Sequence, residues 1–383
     1  MKKIIATLVG LTLGFGSAFA QSISIQNTFG ANSENLSTYH DFVEINRDGT
    51  KQFNLSDRIQ FDVNCDKLYG RVRTEIKTGS ASLSYYDPAG NLDYAMFRLS
   101  PEPFSLLLNG YVAFRPFDWF HIAGGNSFFS KYAMDCAYLY ASDDCTIHGK
   151  LLAKGGVGVL FDFLGVKVAL QMRESFFQTT TYPTLNVGVS YSLANVFEVG
   201  ATVYSFQRGF NETDLSASLF AGLNCVENFV FNLGYTYNLK AGSVSNLDGD
   251  YLASSEHALQ LSTGYDLKDF GLKCYIDLMT GLTNSAGTYS GKYPENGVPF
   301  YSALTTSYKI NDDCSIGLTT KYGFTPQSLT YSDRNVLTLY AYCDYVTKVG
   351  DFRCGLRAKF NNDGFYSLGI PLSWNYRYTW KKN

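Results

Sequence analysis

The chain is 383 residues long, 45% hydrophobic and nearly neutral at −3, with 29 Tyr, 29 Phe and 35 Gly against 9 Pro. After its first segment it holds no apolar run of about 18 residues, which excludes a transmembrane helix, and no long helical period, which excludes a helical fold. The length would allow two soluble domains, but no linker, low-complexity stretch or shift in composition divides it.

Residues 1–20 read as a secretory signal. Lys2 and Lys3 supply the positive start, residues 4–15 are largely apolar, and Ser17-Ala18-Phe19-Ala20 ends in a small-x-small cleavage site. The expected division is 1–20, signal peptide, and 21–383, one all-β domain.

From there apolar and polar residues alternate with a period of two, as in strands whose faces meet different surroundings. A first strand is expected near 22–29. Hairpins follow at 58–65 with 68–77, 106–115 with 119–128, 151–162 with 164–173 and 185–193 with 197–208. Four more are expected at 215–224 with 229–240, 257–265 with 270–279, 300–310 with 314–322 and 336–346 with 352–360. The closing strand, 367–380, puts Leu368, Ile370, Leu372, Trp374, Tyr376, Tyr378 and Trp380 on one face and Arg377 on the other. The sum is about 18 strands (16–18), an even number that sets both chain ends on one side. Tight turns alternate with longer links at 30–56, 78–103, 129–149, 241–256 and 281–299. Segments 80–86 and 93–99 read as an extra hairpin or as strand extensions.

One face is apolar throughout: Val166, Val168 and Leu170, then Leu215, Ala217 and Leu219, then Leu337, Leu339 and Ala341. The other carries charge. Arg71, Arg73 and Lys77 share one strand; Arg115, Lys154, Lys167, Arg173 and Arg208 follow; Arg353, Arg357 and Lys359 share another, and Arg377 lies on the last. Arg58, Lys240, Lys273, Lys309 and Lys321 add to these. The acids on that face are far fewer: Asp62, Glu75, Asp162, Glu198, Asp277 and Asp344, the last set opposite Arg353 as a bracing pair. A dry core could not hold so much charge, whereas a water-filled lumen can. A ring of about 18 strands is wide enough to leave one. With a net charge of −3 overall, a basic interior implies acidic loops and ends. Basic walls raise the local concentration of anions.

Cys136 and Cys145 lie in one expected loop and are candidates for a disulfide that clips it; Cys343 and Cys354 fall opposite each other, facing outward. The eight cysteines serve equally well as small apolar fillers. No zinc spacing, phosphate loop or nucleophile motif is present. Of four histidines, His148 beside Asp143 and Asp144 is the one candidate for catalysis, and a solvated loop histidine explains it better. The chain therefore reads as a non-enzyme, with no cofactor, no metal and no nucleic-acid partner.

In architecture, the alternating hairpins, polarised links and aromatic closing strand resemble the bacterial porin class across most of the length after residue 20. The closing strand resembles the assembly signal of outer-membrane barrels, departing from it by running on into Lys381, Lys382 and Asn383. The resemblance implies a closed transmembrane up-and-down β-barrel in the cell outer membrane, with short periplasmic turns and long extracellular loops. It further implies that 129–149 folds into the lumen. The implied partners are outer-membrane lipid, periplasmic chaperones, the barrel-assembly machinery and small hydrophilic, anionic solutes, with a homo-oligomer left open. The implied function is passive diffusion through an anion-preferring porin. A surface adhesin or ligand-binding barrel with a closed lumen is the alternative. There is no room before the first strand for the plug of a TonB-dependent transporter, and the polar interior does not suit a fatty-acid channel.

Overall fold

Alternation of the kind described above obliges a sheet to cover one face with lipid and to close on itself, because an open edge in lipid leaves amides unsatisfied. The computed structural model describes residues 22–30, 42–49, 51–53, 56–78, 81–84, 96–98, 104–125, 156–173, 185–194, 196–204, 216–223, 225–238, 257–282, 300–324 and 334–381. The expected signal, the 129–149 loop with Cys136 and Cys145, His148, Lys154 and Arg208 lie outside these residues.

All the strands belong to one antiparallel sheet. They are β1 (Ser22–Gly30), β2 (Val43–Asn46), β3 (Lys51–Phe53), β4 (Ser56–Cys65), β5 (Leu68–Thr78), β6 (Ala81–Ser84), β7 (Met96–Arg98) and β8 (Phe104–Phe117). Next come β9 (Phe120–Gly125), β10 (Gly156–Phe163), β11 (Val166–Arg173), β12 (Leu185–Leu193), β13 (Phe197–Tyr204), β14 (Ser216–Leu223), β15 (Phe229–Asn238) and β16 (His257–Leu267). The last are β17 (Leu272–Gly281), β18 (Phe300–Lys309), β19 (Cys314–Phe324), β20 (Asn335–Thr347), β21 (Gly350–Asn361), β22 (Gly364–Ile370) and β23 (Leu372–Lys381). β1 pairs with β23, Ser22 opposite Lys381 and Gly30 opposite Ser373, which closes the ring. β22 and β23 form one stave broken at Pro371, whose ring supplies no donor.

Four short segments do not add staves. Val43 faces Ile370, so β2 resumes the line of β1 after an excursion, and β3 pairs with it through Val43 opposite Phe53. β6 pairs with β3, and β7 with β6. These segments lengthen neighbouring staves beyond the rim, leaving a closed antiparallel barrel of 18 strands. Segments 80–86 and 93–99 are thus strand extensions, and the 30–56 and 78–103 links are partly strand as well. Elsewhere each expected hairpin forms, with its bounds shifted by a few residues.

Both ends of the sheet path and the tight turns from 66–67 to 348–349 lie at one end of the barrel, here the turn end; the longer links lie at the loop end, together with two tight turns, 47–50 and 362–363. The Leu164–Gly165 turn has φ of 51° and 82°, the signature of a type I′ hairpin turn. Leu164 accepts that strained backbone at a position 81% exposed, so its side chain meets no obstacle.

The burial pattern is inverted relative to a soluble protein. Val112, Leu170, Val189, Leu219, Leu318 and Leu356 are all exposed on the outside, whereas Gln171, Asn186, Thr202, Ser218, Gln260 and Thr319 are buried on the inside. Water around such an outer surface would cost about 25 cal/mol per Å², and hydrocarbon removes that cost. No described helix is long and apolar enough to cross a membrane; a barrel crosses with its strands. At the turn end the outer surface becomes aromatic. Phe117 stacks on Trp119 at 5.4 Å, Trp119 on Phe161 at 6.3 Å, and Trp374 on Tyr376 at 6.1 Å. Trp374 donates its indole N–H to Val349 O at 2.9 Å, as a ring with one wet edge should at an interface.

Inside, aromatic rings lie over glycines of the adjoining strand. Tyr342 covers Gly317, Tyr275 covers Gly264 and Phe220 covers Gly200, each directly opposite in register. A Cβ on any of these glycines would collide with the ring.

Candidate functional site

The inner wall formed by β19 to β22, together with β2, concentrates the charge. Lys321 of β19 lies opposite Thr338 of β20; Thr338 faces Lys359 of β21, and Lys359 faces Ser367 of β22. One step along, Tyr340 faces Arg357, Arg357 faces Gly369, and Gly369 faces Glu44 of β2. Having no side chain, Gly369 leaves room for its neighbours to reach across it. Glu44 Oε1 accepts a hydrogen bond from Ser367 Oγ at 2.7 Å and from Arg357 at 3.3 Å, and stands 4.0 Å from Lys359 Nζ. The side chain of Arg357 is fully buried, and Lys321 and Lys359 nearly so. Arg357 and Lys359 therefore gather around a carboxylate that belongs to the rim extension, with Lys321 on the same inner wall two strands from Lys359.

Toward the turn end the same wall carries a tighter pair. Arg353 clamps Asp344 with two hydrogen bonds, 2.5 and 2.7 Å, and its guanidinium lies 4.5 Å over the Tyr342 ring. This is the expected bracing pair, and its forked geometry is the stronger kind of ion pair. Asp62 organises the adjoining staves. It accepts from Arg71 Nε at 2.7 Å and from Gln60 at 2.8 Å, and Arg377 stands 4.0 Å away. Arg73 donates twice to Gln60 Oε1, at 3.1 and 2.8 Å. Below them a cavity of about 460 Å³ opens at the turn end, lined in part by Asp62, Tyr69, Arg115, His121 and Arg377. Tyr69 and His121 share a hydrogen bond of 2.7 Å there, while Arg115 bonds Asp66 O.

The remaining basic residues expected on the wall are distributed as follows. Lys167 sits on β11 opposite Asp162 and Ser190. Lys77 and Arg173 occupy registered positions on β5 and β11. The geometry thus brings Arg353, Arg357 and Lys359 together with Lys321, and Arg71 and Arg73 together with Arg377; it does not join these groups into one continuous row. Asp344 and Asp62, both expected on this face, interrupt the basic residues, as do Glu44 and Gln60.

Glu44 is the residue that sequence reading missed, because 30–56 was taken as a link. A signal was present. Val43, Glu44 and Ile45 alternate, and Asp48-Gly49 is a hairpin turn pair. The inward aromatics Tyr111, Tyr301, Tyr340 and Tyr342 were also not anticipated. Among the described residues no group of three potential metal ligands occurs.

No protein-family model matches the chain, and no curated protein matches it in sequence. Solved structures do resemble it. OpdK of Pseudomonas aeruginosa, solved with vanillate, is 11% identical; the match covers 94% of this chain and 98% of that one, with a TM-score of 0.54. OpdL of the same organism is 9% identical over 94% and 98% of the two chains, with a TM-score of 0.54. OccAB4 of Acinetobacter baumannii is 6% identical over 94% and 97%, with a TM-score of 0.52. At such identities the likeness is one of fold: a porin-like outer-membrane barrel.

Proposed function

We propose that the chain is an outer-membrane channel through which small hydrophilic solutes diffuse, with a preference for anions. The observation that carries this reading is the cluster of Lys321, Arg357 and Lys359 on the inner wall. A charge held in a low-dielectric wall acts on a passing ion more strongly than one in bulk water. Fixed cations lower the entry cost of an anion and raise that of a cation. One neighbour of the same fold, OpdK, was solved with vanillate, an aromatic carboxylate; a carboxylate is the sort of anion a guanidinium fork receives.

In this reading the signal at 1–20 directs export and barrel-assembly machinery inserts the chain. The turn end faces the periplasm, lipid covers the outer belt, and no reaction is catalysed. The decisive measurement is the reversal potential of the reconstituted barrel in a salt gradient. A sign showing chloride permeating faster than potassium supports the proposal, and a cation preference at low salt overturns it. The burial of Arg357, Lys321 and Lys359 gives weight to a second reading, a barrel whose lumen is closed and whose loops bind ligands or surfaces. Absence of any conductance from folded barrels would select that one.

A further inference from the structure

The outer face of β19, β20 and β21 carries a cluster of thiols that the channel reading leaves unused. Cys314 opens β19, Cys343 lies on β20, and Cys354 lies on β21 directly opposite Cys343. Cys314 is diagonal to Cys343, since Cys314 faces Tyr345 and Ile316 faces Cys343. The Sγ atoms of Cys314 and Cys343 are 3.8 Å apart. Cys343 and Cys354 also border an apolar depression of about 620 Å³ on the lipid side, together with Ile316, Leu318 and Leu356.

We propose that Cys314 and Cys343 are a disulfide site, oxidised before the barrel enters the membrane, with Cys354 as the remaining thiol. An S–S bond needs about 2.05 Å. The sulfurs already touch, so a small local adjustment closes the bond without a change of register. The reaction is thiol–disulfide exchange with a disulfide-bearing protein oxidant of the export compartment. One cysteine thiolate attacks the oxidant's disulfide, forming a mixed disulfide and releasing one oxidant sulfur as thiolate. The second cysteine thiolate then displaces the other oxidant sulfur. Two thiols lose two protons and two electrons, and the oxidant leaves as a dithiol.

The placement gives the bond a purpose. β19 and β20 are joined by chain at the loop end; the bond would tie them at the turn end, closing a covalent loop across a separation of 29 residues. A one-residue slip between strands exchanges their faces. Such a slip would turn Lys321 out of the lumen and into lipid. The bond therefore fixes the register of the basic wall, and once the outer belt is covered by lipid no soluble reductant reaches it.

This inference rests on the export route proposed above, and the test separates the two. Barrels purified without reductant are denatured, alkylated with iodoacetamide, digested and read by mass spectrometry, alongside barrels refolded in the presence of glutathione disulfide. The expected result in both is a Cys314–Cys343 cross-linked peptide with Cys354 alkylated. The link should persist in Cys354→Ser and vanish in Cys343→Ser, both checked for folding by heat-modified gel mobility. A link that forms only with added glutathione disulfide keeps the site and overturns the export route. Alkylation of both cysteines in both samples, or a Cys343–Cys354 link instead, overturns the proposal.

Discussion

Two stretches of the inner wall, on far sides of the ring, solve the same problem differently. On β11 to β14 the buried groups are neutral: Asn186 donates to Gln171 at 3.0 Å, Thr202 and Ser218 share a hydrogen bond, and Ala169 and Gly188 fill between. On β19 to β22 the buried groups are Lys321, Arg357 and Lys359, the last two around Glu44. Neutral pairs of this kind contribute about 1 kcal/mol each and ask nothing of their surroundings. Buried charges cost several kcal/mol each to desolvate, and a fold does not need them to close a ring. The contrast teaches that buried positions of this wall can be filled by neutral groups alone, which favours the proposal that the buried charges serve a passing solute.

The comparison can be broken most decisively by inverting it. Replacing Arg353, Arg357 and Lys359 with Glu should carry the permeability ratio toward cations by about tenfold or more, since each 1.4 kcal/mol in barrier height is a factor of ten. Introducing the same number of Glu residues at Asn186, Ser190 and Thr202 should shift the ratio less. The first set changes the charge by six units and the second by three, so a second shift half the size of the first would show that only net charge matters.

Stability offers the next test. Glu44→Ala removes the carboxylate shared by Arg357, Lys359 and Ser367 and should cost about 3 kcal/mol in unfolding from detergent. Asn186→Ala should cost about 1 kcal/mol by removing the hydrogen bond that Asn186 donates to Gln171. A Glu44 effect no larger than that of Asn186 would count against a charged cluster held under strain by one acid.

The smallest effect is expected outside both walls. In the 310–313 turn Lys309 Nζ bonds Asp312 at 2.7 Å, and that hydrogen bond, together with the charge of Lys309, holds the Asp312 carboxyl below its ordinary range. The pair is solvated at the turn end, where screening and side-chain entropy erase most of its worth. Lys309→Ala should leave the unfolding midpoint where it is; a clear loss there would mean that the turn matters more than the walls.

Most of the fold was legible because lipid reverses the usual rule of burial. Leu337, Leu339 and Ala341 against Thr338, Tyr340 and Tyr342 declare two faces within a few residues, with no long-range information needed. The site was legible only in part. Arg357 and Glu44 are 313 positions apart, and what unites them is closure of the ring, to which no local pattern responds. β2 was hidden for a related reason: it spans only four residues and pairs chiefly with β22, near the far end of the chain. Alternation puts Tyr342 and Phe220 inside but is silent on their task there, which is to shield glycines across the strand gap. Cys136 and Cys145 fall outside the described residues and their pairing stands as an expectation.

The pairing of β1 with β23 sets a clock. Gln26 and Asn375, bonded across that seam, are separated by 349 positions. A ribosome adding 5–20 residues each second needs roughly 20 to 80 seconds to reach the last strand, whereas a hairpin forms in about 1–10 μs. For nearly the whole of its synthesis the segment that becomes β1 therefore has no β23 to pair with. Such an edge pairs with whatever strand it meets first. On the export route proposed above, that edge must be kept idle over an interval roughly ten million times longer than a hairpin takes to form.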